Sequence, residues 1–205
     1  MGVNKSKHGV FAIVGKGTQS PWEYGNASVV SAFEQVKEDY ERLIGTKETD
    51  IQRKIAAKPS IVALHLIALH ISVFYVIAFH LVGLKKEVLT EIGNGISVRL
   101  NKIFNPDGSN SSANGAPMIY EAFQLYGTIL HNDLKAIYSE TWDGNCTNYG
   151  EAAEVFVSNL AQKCGFSNEL ESPTIEIVRL KIFASINGIL LLKKLIEAEV
   201  VTFVD

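Results

Sequence analysis

IVALHLIALHISVFYVIAFHLVGL, residues 61–84, contains no Asp, Glu, Lys or Arg, yet it contains His65, His70 and His80. Leu, Ile, Val and Phe fill 15 of its 24 positions. As one helix it measures about 36 Å at 1.5 Å per residue, enough to cross a bilayer. A helix that is apolar on every face is buried in lipid or among other helices. Three features favour protein over lipid. Imidazoles are costly in hydrocarbon, and neither end carries the Trp or Tyr of an interfacial anchor. The flanks also differ little in charge, with Arg53, Lys54 and Lys58 on one side and Lys85, Lys86 and Glu87 on the other. The segment therefore reads as the central helix, about 60–84, of a soluble domain. A single membrane span is the alternative.

The surrounding sequence supplies the helices that such a core needs. Val29, Val30, Phe33, Val36, Tyr40, Leu43 and Ile44 recur at three- and four-residue steps. They predict an amphipathic helix that begins near Asn26 or Ser28 and ends at Gly45. Asp50 to Ala57 forms a shorter one, and Pro59 suits the first turn of the central helix. The helical period continues from Lys85 to Phe104, where Gly93 and Gly95 predict a bend or break. Residues 105–116, NPDGSNSSANGA, read as a mobile surface loop. Pro117 opens the next helix, Glu151 to Lys163 gives another ending at Gly165, and Pro173 starts a last one running to about Val200. Two β-like fragments, VFAIV (10–14) and VVTFV (200–204), are candidates for a minor sheet. The expected architecture is all-α: one domain over 1–205, with about six helices around the apolar one and a less regular N-terminal segment, 1–25.

Composition narrows the function classes. Hydrophobic residues make up 47% and charged residues 20% of the chain, which describes a folded protein. A net charge of −3 without a basic cluster argues against nucleic-acid binding. Cys146 and Cys164 have neither a disulfide framework nor zinc-site spacing, and the short apolar run 10–14 is no export signal. The expected location is the cytoplasm, with the membrane as the alternative. MGVNKS fits the pattern for myristoylation of Gly2, which makes that residue a candidate lipidation site. VFAIVGKGTQS has the look of a strand entering a phosphate loop, but the Walker spacing is not met. Pro21 and Trp22 stand where the helix should start.

Four histidines are candidate ligand contacts: His65, His70, His80 and His131. Within one helix, His65 and His70 point about 140° apart, and His65 and His80 are separated by about 22 Å along the axis. No metal site forms on a single helix, so no metal or other cofactor is expected. A haem- or metal-binding protein built on these histidines is a further alternative. The simplest role for each imidazole is that of a hydrogen-bonded core residue. Three imidazoles buried in the neutral form would loosen a soluble fold between about pH 6 and 4. No nucleophile or acid–base signature supports an enzyme. The sequence therefore points to a non-enzymatic helical binding or interaction protein. An apolar ligand pocket, a protein partner or pH-dependent membrane contact would each suit it, and a single-span subunit of a larger assembly is the alternative.

Overall fold

The computed structural model describes residues 8–45, 50–106, 115–137, 151–165 and 191–205. Among them are seven helices and a three-stranded sheet. In chain order these are β1 (Val10–Ile13), β2 (Gly17–Gln19), α1 (Pro21–Ile44), α2 (Asp50–Ala56), α3 (Pro59–Val82) and α4 (Lys86–Phe104). They are followed by α5 (Gly115–Ile137), α6 (Glu151–Cys164), α7 (Leu191–Glu197) and β3 (Val201–Val204). The predicted all-α architecture is the observed one. α3 runs through the middle, packed by α1 and α5 and, at its flanks, by α6 and α7. Its residues Val62, Leu66, Ile67, Ile71, Val76 and Ile77 are buried. α3 is long and apolar enough to cross a membrane, but two-thirds of its most apolar stretch is covered by the chain itself. Its one buried hydroxyl, on Ser72, shares its proton between the Ala68 carbonyl at 2.7 Å and the Phe123 carbonyl at 3.0 Å. The hydroxyl thereby adds a polar tie to α5.

Of the segment 1–25, the described residues 8–25 are more regular than the sequence suggests. The two β-like fragments pair antiparallel, with Val10 opposite Val204 and Ile13 opposite Val201. A third strand, β2, pairs with the other side of β1 through a tight turn. Gly15 and Gly17 give that turn its positive φ angles of 76° and 79°. Phe11, fully buried, stacks on Tyr24 with ring centroids 4.3 Å apart. The Tyr24 hydroxyl donates to the Phe74 carbonyl at 2.9 Å, which ties the sheet and α1 to α3.

α1 starts at Pro21, a turn and more before the apolar period becomes visible. Ser20 caps it: its Oγ accepts from the Glu23 amide, and Glu23 Oε2 accepts from the Ser20 amide at 2.8 Å. This reciprocal cap, with proline at the first helical position, sets the start independently of hydrophobic spacing. It also changes the reason for rejecting a phosphate loop. A helix N-terminus does follow the glycine turn, but the Glu23 carboxylate already occupies it.

α4 is continuous through Gly93 and Gly95, where the sequence predicts a bend or break. A side chain on Gly95 would collide with the Trp22 carbonyl of α1, and one on Gly25 would collide with the Ile92 carbonyl of α4. The two glycines let the helix backbones touch, and that contact repays their poor helix propensity. α5 begins at Gly115, two residues before Pro117. Of the predicted mobile loop, residues 107–114 lie outside the described residues. So does most of the predicted last helix, of which 191–197 is helical.

Candidate functional site

The four candidate histidines lie in different surroundings. His65, on α3, is 7% exposed, and its Nδ1 lies 2.6 Å from the hydroxyl of Tyr126 on α5. Tyr126 is fully buried, and burial holds its phenol far above the ordinary range. The hydroxyl has no other acceptor among the described residues. It therefore donates to Nδ1, which leaves the imidazole proton on Nε2. Burial, reinforced by the charge of Lys163, pushes His65 down to about 4. His65 is thus a neutral tie between α3 and α5.

His70 lies half-buried on another side of α3, where its Nε2–H donates to Asp39 Oδ2 on α1. Asp39 is 4% exposed, and its other oxygen lies 3.8 Å from Arg42. A carboxylate taken out of water needs such partners. Asp39→Asn keeps the shape but exchanges a charge-assisted bond for a neutral one. Urea unfolding should report a loss of about 1–2 kcal/mol. Unchanged stability would mean that this α1–α3 bond contributes nothing.

His80 is exposed in the last turn of α3. Of the three histidines in the opening stretch, only His65 is buried, because it faces the covering helices, whereas His80 points from the last turn of α3 into solvent. Among the described residues, no three His, Cys, Asp or Glu side chains come together as a metal-binding group. Gly2 lies outside the described residues.

His131 differs from the other three because it lines a groove of about 1100 Å³ between α3, α4 and α5. One wall is the α4 stripe Lys86, Leu89, Thr90, Gly93, Asn94 and Ser97; the other is the α5 stripe Tyr120, Phe123, Gln124, Gly127, Thr128 and His131. Both follow the spacing i, i+3, i+4, i+7, i+8, i+11, which keeps one helix face turned to the groove for about 16 Å. Glycine stands at i+7 in both. A side chain built on Gly93 or Gly127 meets nothing within 4 Å, in contrast to the crowded Gly25 and Gly95. The two open glycines therefore widen the groove at its middle.

The floor comes from Tyr75, Val76 and Phe79 of α3. Tyr75 meets Phe123 edge-on at 5.3 Å, and Phe79 meets His131 edge-on at 4.5 Å. Burial, with the Tyr120 phenol beside it, pushes Tyr75 up, so it is a neutral hydroxyl in the groove. Burial, with Lys135 and His80 nearby, holds His131 below the usual imidazole range. Its Nδ1 is buried without a hydrogen-bond partner among the described residues. Tyr120 and Leu84, at the rim, are 38% and 85% exposed. A concave surface that combines apolar side chains with a few placed polar groups is the usual form of a ligand site.

Sequence reasoning identified His131 but not the walls. Thr90, Asn94, Ser97, Gln124 and Thr128 look like solvated faces until the two stripes are set side by side. The usable signal was the pair of helical glycines at matching positions. The chain matches no protein-family model, no curated protein and no solved structure.

Proposed function

We propose that the protein is a non-enzymatic binding protein, working in the cytoplasm, whose groove between α3, α4 and α5 takes an apolar or amphipathic small molecule. The observation that carries this reading is the open, glycine-widened space between two matching helix faces. Its size is close to that of small-molecule sites, which run to about 1000 Å³. His131, which lines the groove, supplies a polar imidazole that would orient the ligand. The covering of α3 by its own chain supports this reading over a constitutive membrane span.

The test is a fluorescence titration with anilinonaphthalene sulfonate at neutral pH. One saturable site is expected per chain. Gly93→Leu and Gly127→Leu each project an isobutyl group into the open middle of the groove without a backbone clash. Each should weaken the probe at least tenfold, by filling the space it needs, and leave the thermal midpoint at or above that of the parent. Filled variants that bind as the parent does would remove the groove as the site.

A further inference from the structure

We infer that the occupant of this groove is an amphipathic acid: an apolar body up to about 16 Å long with one anionic group seated between Lys86 and His131. The inference rests on the groove being a ligand site, and it follows from how differently the two ends are built. Lys86 opens α4 directly after the turn that ends α3, and His131 stands against Phe79 in the last turns of α3. Both basic side chains therefore belong to one end. Lys135 lies a turn beyond His131 on the same helix, and its charge and that of His80 reach the imidazole.

Among the described residues no Asp or Glu lines the groove, and none pairs with the Lys86 ammonium. The far end, with Asn94, Ser97, Tyr120 and Gln124, is polar but uncharged. A positive charge at one end of a concave wall that is otherwise uncharged focuses the field on an incoming anion. His131 lines the same end of the groove, and an imidazole N–H there can donate to an anionic oxygen. A neutral ligand would leave the Lys86 charge unused, and a cation would be repelled. A partner helix with its side chains is about 10–12 Å across and, at this length, outsizes the groove. Carboxylate, sulfonate and phosphate monoester share the required chemistry.

Two probes separate the inference from the reading beneath it. Anilinonaphthalene sulfonate and N-phenylnaphthylamine have the same rings, with and without an anion. The full chain should bind the sulfonate about tenfold more tightly, as expected for one charge-assisted contact. Lys86→Gln should remove most of that preference and leave the neutral probe within about twofold. His131→Gln should remove part of it. Lys85→Gln alters the neighbouring lysine, which pairs with Asp205 away from the groove, and should change neither probe. Equal affinity of both probes for the parent, or unchanged sulfonate binding by Lys86→Gln, overturns the acid and leaves the groove as an apolar site. If neither probe binds, the groove reading falls and the acid falls with it.

Discussion

Gly95→Ala is expected to destabilise the fold by about 3 kcal/mol, at the upper end of what overpacking costs. That corresponds to a fall of roughly 6–12 °C in thermal midpoint for a chain of this size. The added methyl group would occupy the position of the Trp22 carbonyl, and the Asn26 amide is only 3.0 Å away on the same helix. Backbone cannot rotate aside as a flexible side chain can, so α1 and α4 must separate. Gly25→Ala should cost a similar amount, because its methyl group meets the Ile92 carbonyl from the other side of the same crossing. The internal control is Gly93→Ala, two residues from Gly95 on the same helix. Its methyl group enters open space, so the gain in helix propensity, about 0.5–1 kcal/mol, should appear as stabilisation. Opposite signs at positions 93 and 95 are the diagnostic result. The same sign at both would mean that α1 and α4 do not cross this closely.

Acid should remove about 3 kcal/mol of stability through His65 alone. The sign follows from the two states. The folded imidazole titrates at about 4, held down first by burial and then by Lys163, whereas in the unfolded chain it titrates near 6.5. Between those values the unfolded chain binds the proton and the folded one does not. Stability therefore falls as the pH drops through 6.5 and levels off below about 4, at 1.36 kcal/mol per unit of difference. Urea midpoints at several pH values between 7.5 and 4 measure the slope. Other groups also titrate on acidification, so the quantity to compare is the difference between the parent and His65→Gln. Glutamine leaves the Tyr126 hydroxyl an acceptor and removes the titration. Parallel slopes for the two proteins would mean that His65 does not drive the acid response.

The central helix was legible because nothing about it depends on detail. Twenty-four residues without a formal charge must be covered, and the period of the neighbouring segments shows what covers them. The sheet was partly legible, since VFAIV and VVTFV are β-rich and flank the helical region. β2, with the sequence GTQ, has no apolar signature and exists because the turn before it returns the chain to β1. The start of α1 was misplaced because a capping box is a local polar signal, and the apolar period begins later. Gly93 and Gly95 were read together as a weakness in α4. Their separation by one intervening residue turns them to different faces, one towards α1 and one towards the groove. One sequence feature thus had two physical causes, and only the neighbouring helices distinguish them. Of the three histidines expected to be buried only His65 is, and Tyr126 and Asp39, the partners of His65 and His70, lie on other helices, where linear spacing carries no information.

The pairing of β1 with β3 also bears on how the protein comes to be folded. β1 and β2 are neighbours and can form a hairpin while synthesis continues, but the other edge of β1 finds its partner only when residues 201–204 leave the ribosome. Until then Phe11 lacks the cover of Phe203, and β1 presents an open edge to other chains. Closing the loop over residues 14–200 is slow compared with hairpin and helix formation. The nascent protein therefore passes through an aggregation-prone interval in which helices can form while the sheet is still one strand short.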